Sequence, residues 1–211
     1  MINLCEALFI LGLDDEEEVD PKTVITTLES VLAGAILAEL FLQNRVRLVE
    51  DRVIVTDPTP TEHSILDKAL FDIVDAGRPR KIKYWINTLI YKKFLDEIGH
   101  YLVEIGVLVR KKKRLHLLIP NSNSQNGNVS AKDNLKNRLR EIVLAGKQPE
   151  LTERILLAFL YHGELLKLAF PHGESKAAHK KVKKLITNDE EGICLGEPMD
   201  EIVAVACGLD H

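Results

Sequence analysis

The run VLAGAILAELFLQNRVRLVEDRVIV, residues 31–55, constrains the fold more than any other part of the chain. Over residues 31–40 the small side chains Ala33, Gly34, Ala35 and Ala38 interleave with Leu32, Ile36, Leu37 and Leu40. A helix that is apolar nearly all round has no solvent face, so this one belongs inside the molecule. Gly34 costs about 1 kcal/mol against alanine in a helix interior, and close approach of a second helix is the gain that explains it. Residues 45–48 and 52–55 then alternate basic and apolar side chains around Glu50-Asp51, the period-two pattern of a hairpin.

Punctuation and periodicity organise the rest. Residues 4–13 form a first helix, ended by the acidic run 14–18, and Pro21 can open the next one at its first turn. A turn at 57–61 leads into a helix with Ile65, Leu66, Ala69, Leu70 and Ile73 on one face. Gly77-Arg78-Pro79 breaks it, and a longer helix is expected from about residue 85 to 105. Residues 107–109 and 115–119 read as a second hairpin with Arg110, Lys111, Lys112, Lys113 and Arg114 at its tip. The polar stretch 120–129 is a loop, followed by helices near 132–144, 151–170, 176–186 and 200–207.

Composition narrows the class. The chain has 211 residues, 45% of them hydrophobic, enough for an ample core in one large domain or two small ones. With 28% charged residues and a net charge of -4, it reads as globular and soluble, and any attraction to an anionic partner must come from local patches. Cys5, Cys194 and Cys207 are too few and too widely spaced for a disulfide framework, and the odd count fits a reducing compartment. The longest apolar run is interrupted at Glu39, short of the roughly 18–20 residues a membrane span needs. Met1-Ile2-Asn3 lacks the basic flank of a signal peptide. A cytoplasmic location, with contact to a membrane surface, is the expectation.

Five stretches in order carry a family resemblance: LCEALFILGLDDEEE from Leu4, VLAGAILAELFLQNRV from Val31, DPTPTEHSILDKAL from Asp57, LVEIGVL from Leu102 and DEIVAVACGL from Asp200. Together they resemble the Golgi phosphoprotein 3 family of peripheral phosphoinositide-binding proteins, over almost all of the chain. The resemblance implies one domain over residues 1–211, mostly α, with buried central helices surrounded by amphipathic helices and two short β-hairpins. It implies a non-catalytic peripheral membrane protein that binds an anionic lipid headgroup such as phosphatidylinositol 4-phosphate, with no cofactor, on a Golgi-type membrane if the source is eukaryotic. Carried over residue by residue, the family's headgroup arginines correspond here to Ala33, Lys92 and Leu95, and its tryptophan to Val24. Of these, Lys92 retains a cation.

The chain's own cations suggest substitutes. Arg78, Arg80, Lys81 and Lys83 precede Trp85, with Lys92 and Lys93 beyond it, a local basic excess in an acidic chain. Such a cluster can engage lipid phosphates at about 1 kcal/mol per cation near a charged surface. Solvated lysines around a core tryptophan are the plainer alternative. Arg110, Lys111, Lys112, Lys113 and Arg114 form the densest positive run, and the corresponding family hairpin contributes to membrane contact or self-association. Edge-strand lysines that block sheet-to-sheet pairing account for the same run. A helix followed by a basic hairpin also resembles a winged helix. Asp96, Glu97 and Glu104 would there repel phosphates, so nucleic acid ranks below a lipid or a protein partner. Lys176, Lys180, Lys181, Lys183 and Lys184 lie opposite Ala178, Val182, Leu185 and Ile186, the signature of a solvated amphipathic face.

Enzyme signals are thin. His162-Gly163-Glu164 and His172-Gly173-Glu174 repeat a tripeptide near His179, but neither has the two-histidine single-turn spacing of a helical zinc site. Phosphate-loop and dinucleotide fingerprints and a nucleophile elbow are absent from the sequence. No catalytic residue, metal ligand or cofactor is assigned. A cytosolic protein-interaction scaffold without a lipid partner is the alternative to the lipid reading.

Overall fold

The computed structural model describes residues 2–13, 21–92, 94–110, 118–120, 130–187 and 195–209. Its elements run α1 (Leu4–Gly12), α2 (Pro21–Leu42), β1 (Val46–Val49), β2 (Arg52–Val55), α3 (Ser64–Asp75), β3 (Arg80–Lys81), α4 (Ile82–Tyr91) and α5 (Phe94–Glu104). The order continues with β4 (Leu108–Arg110), β5 (Leu118–Pro120), α6 (Ala131–Val143), α7 (Leu151–His162), α8 (His172–Thr187) and α9 (Glu197–Ala206). One hydrophobic cluster draws side chains from all nine described helices, so the chain is mostly helical around a single core.

The apolar run 31–40 is buried at every position, in the C-terminal half of α2. Gly34 marks the closest approach expected of it. A Cβ added there would sit 2.4 Å from the Ala206 Cβ on α9 and 3.1 Å from the Phe159 ring on α7. Around α2 pack α1, α4 and α9, while α3, α5, α6 and α8 lie farther out with one face in solvent. The outer helices show why their sequences are amphipathic. On α3 the buried residues are Ile65, Leu66, Ala69, Leu70 and Ile73, the stripe that helical spacing requires.

A polar knot ties α1 to its neighbours. Asn3 caps α1 by accepting from the Glu6 N–H at 2.9 Å, and Glu6 returns a bond from the Asn3 N–H at 2.9 Å. The other Glu6 oxygen meets His63 Nε2 at 2.9 Å, at the start of α3, while Glu39 on α2 accepts from the Leu4 N–H at 2.6 Å. Helix N-termini leave backbone donors unmet, and these carboxylates supply the acceptors from within the core. Burial raises the Glu39 carboxyl above the ordinary glutamate range, against the lowering effect of the Leu4 and Gln43 bonds.

Four expectations shift. The hairpin β1–β2 forms as read, with Glu50 (φ +48) and Asp51 (φ +60) in the two left-handed positions of a tight turn, but β3 adds a third strand to it. The long helix expected over 85–105 divides into α4, which ends at Tyr91, and α5, which begins at Phe94. Buried positions fall at Ile82, Trp85, Ile86 and Leu89 on α4 and at Phe94, Ile98 and Leu102 on α5. Five residues separate Leu89 from Phe94, so a continuous helix would turn the apolar stripe by about 140°. The break restores its phase. The helix expected over 151–170 ends at His162, because Gly163 packs against Val31 and Glu164 turns left-handed at φ +57. The second hairpin pairs Leu108, Val109 and Arg110 with Pro120, Ile119 and Leu118, so Arg110 belongs to a strand and not to the tip. The acidic run 14–18, the loop 121–129, Lys93, Lys111, Lys112, Lys113, Arg114 and Cys194 lie outside the described residues.

Candidate functional site

The segment 78–85 turns the corner between α3 and α4. Gly77 takes φ +64 at the exit of α3, which a β-carbon would disfavour, and Pro79 precedes the short strand β3. Strand pairing then sets Lys81 opposite Arg52 and Arg80 opposite Val53. Like charges facing across a ladder repel, and Asp51 offsets this by pairing with Lys81 Nζ at 2.6 Å. The Arg80 guanidinium lies over the Tyr84 ring, 4.9 Å from its centroid. Arg78, Lys81, Lys83 and Tyr84 are exposed.

Trp85 is not available to a ligand. It is 2% exposed, on the same stripe as Ile82, Ile86 and Leu89, and packs edge-on against Tyr84 with centroids 5.2 Å apart. Helical phase alone dictates this, since Trp85 lies one turn from Ile82 and from Leu89. Of the candidates around it, the exposed cations remain and the tryptophan belongs to the core. Lys92 ends α4 and pairs with Asp72 of α3 at 2.6 Å.

Two of the four family positions meet in space, on a site with the wrong chemistry. Ala33 and Leu95 line one small cavity together with Glu29 and a wall of Leu32, Leu89, Ile90 and Phe94. Its volume is about 10 Å³, room for a single water at most. Among the described residues no cation lines it, and the one ionisable group there is an acid. An inositol phosphate needs space and positive charge, and this cavity offers neither.

Sequence reading missed a neighbouring surface. Phe71 is 67% exposed and Val74 42% exposed, one turn apart on α3. The buried stripe of α3 is complete without them. That is the signal in the sequence: apolar residues off a stripe that is already full. Arg78 follows Val74 by four residues, so the exposed apolar pair leads directly into the basic corner.

Two further features complete the surface. Glu50 and Asp51 of the hairpin turn and Glu197, Asp200 and Glu201 of α9 surround an open cleft of about 770 Å³ floored by Leu48 and Ala204. Burial, then the charges of Asp51 and Glu197, raise the Glu201 carboxyl above its usual range. On α8, Lys176, Lys180, Lys181, Lys183 and Lys184 are exposed while Ala178 and Val182 are buried, as the amphipathic pattern requires. The repeated tripeptides behave differently from one another. A Cβ on Gly163 would sit 2.8 Å from the Phe159 carbonyl oxygen and 3.1 Å from Val31, whereas Gly173 meets nothing within 4 Å. His179 stacks at a tilt on Tyr161 with centroids 4.7 Å apart.

Among the described residues no helix is long and apolar enough to cross a membrane. Compared with models of known families, residues 4–206 match the one described as Golgi phosphoprotein 3.

Proposed function

The chain belongs to the Golgi phosphoprotein 3 family, and from that membership we propose that it is a non-catalytic peripheral protein that docks on an anionic lipid surface through its α3–α4 face. The observation that carries this reading is the exposed pair Phe71 and Val74 leading into the exposed cations Arg78, Lys81 and Lys83. Apolar side chains standing in water beside cations are what an interfacial contact needs. The ring enters the headgroup region, and each cation adds about 1 kcal/mol near anionic lipid. The ligand class is negative lipid charge, with phosphatidylinositol 4-phosphate bound as one anionic lipid among others, because among the described residues no cation lines the Ala33–Leu95 cavity to read a specific headgroup. Such a protein works from the cytoplasmic side of a membrane.

Co-sedimentation with vesicles tests this. Wild type should pellet with phosphatidylserine or phosphatidylinositol 4-phosphate vesicles and stay in solution with pure phosphatidylcholine. Phe71→Ser with Val74→Ser should weaken the anionic pellet without lowering the thermal midpoint, since neither side chain is buried. Wild type that ignores strongly anionic vesicles at low salt would end the lipid reading.

A second reading, a protein-interaction scaffold, is favoured by the acidic cleft beside the β1–β2 turn. Its five carboxylates fit a Lys- or Arg-rich segment of a partner protein. Binding of such a peptide that Glu201→Gln weakens, with no vesicle binding, would favour it. A nucleic-acid reading fits least, because Asp96 and Glu104 stand exposed on α5.

A further inference from the structure

The cations of α8 do not all face open solvent. Lys181 and Lys184 line a cavity of about 300 Å³ bounded by the end of α6, the α6–α7 connection and α7. Lys147 and Arg154 line it too, the walls between are apolar at Ile142 and Leu185, and among the described residues no carboxylate lines it. Arg154 is 8% exposed, so a full positive charge is held there mostly out of water. Like charges gathered in a concave site repel and are retained at a cost.

Part of this charge answers the fold. Gly146, left-handed at φ +76, ends α6, and Lys181 Nζ donates to the freed Leu144 carbonyl at 2.9 Å. Lys147 pairs with Glu141 at 2.9 Å, on the rim. That leaves donors to spare. An ammonium has three, so one partner does not exhaust it. Lys184 has no hydrogen-bond or ion-pair partner among the described residues.

We propose that this cavity is a binding site for a phosphate-bearing anion, gripped by Arg154, Lys181 and Lys184 with Lys147 at the rim. A planar fork beside point-charge ammoniums is the donor set that phosphate oxygens accept. The apolar walls suit the carbon portion of a phosphomonoester better than a bare ion. The site lies apart from the Ala33–Leu95 cavity, sharing none of its lining residues, and it stands whether or not the α3–α4 face meets a membrane.

The test uses the full chain and two arms. Calorimetric titration with inorganic phosphate and glycerol 3-phosphate reads a free ligand, and sedimentation with phosphatidylcholine vesicles containing phosphatidic acid reads a lipid one. Saturable binding is expected in at least one arm. Lys184→Glu should weaken it roughly tenfold or more, because a charge-assisted bond becomes a repulsion. Lys184 is exposed, so its thermal midpoint in phosphate-free buffer should match wild type. Lys176→Glu, the same change on the same helix outside the cavity, should leave binding intact. Binding of glycerol 3-phosphate assigns a soluble source, and binding to the vesicles alone assigns a lipid. No binding in either arm at low salt, or equal loss in the two variants, overturns the proposal.

Discussion

At the scale of single residues, the tightest constraint is at Gly34. Alanine there gains about 1 kcal/mol of helix propensity, but its methyl would lie 2.4 Å from the Ala206 Cβ. Overpacking of this kind costs about 1–3 kcal/mol, so Gly34→Ala should lower stability in denaturant titration. Adding Ala206→Gly should recover much of the loss. A double variant whose loss equals the sum of the two single losses would show that the helices do not meet where the structure has them. Glu39 yields a second expectation, with a sign opposite to most carboxylates. Its folded pKa is raised by burial, so the folded state holds the proton more tightly than the unfolded chain. Stability therefore falls as pH rises from the ordinary glutamate value through the raised one. Glu39→Gln keeps an acceptor for the Leu4 N–H and removes the titration. The variant should gain on wild type as pH climbs through that window, and unfolding curves that stay parallel would contradict the assignment.

At the scale of elements, the contact between α6 and α8 depends on a bidentate pair. Arg140 Nε donates to Glu174 Oε2 at 2.8 Å, and a second guanidinium nitrogen reaches the other oxygen. The Arg140 bonds hold the Glu174 carboxyl below its usual range. This stabilisation is present above the unfolded glutamate value and is lost as pH falls through the lowered one. Glu174→Gln should thus flatten the acid limb of the stability profile. An acid limb unchanged in the variant would place the pair among surface bridges that contribute nothing. Elements also explain the split of the expected long helix. Periodicity is visible within α4 and within α5, but the five-residue step from Leu89 to Phe94 becomes a break only because both stripes must face one core.

At the scale of the whole molecule, a net charge of -4 means that membrane attraction depends on how cations are grouped. Replacing Arg110, Lys111, Lys112, Lys113 and Arg114 with serine tests whether the second hairpin joins the α3–α4 face in contact. If it does, the variant should bind anionic vesicles more weakly, in a salt-dependent way, since charges in water are screened within about 8 Å at physiological ionic strength. Unchanged binding would confine contact to the α3–α4 face. The sequence by itself determined the central helix, the first hairpin and most outer helices, because burial and periodicity are local properties of residues such as Leu32, Ile36 and Leu37. It also determined the family, through motifs whose order runs along the chain. Only the tertiary structure decided which cations share a surface. Trp85 and Lys83 are two residues apart yet divide between core and solvent, while Lys147 and Lys184, far apart in sequence, line one cavity. Helical phase separates the first pair, and packing of α8 against the end of α6 joins the second. Charge shows its partners only when distance in space replaces distance along the chain.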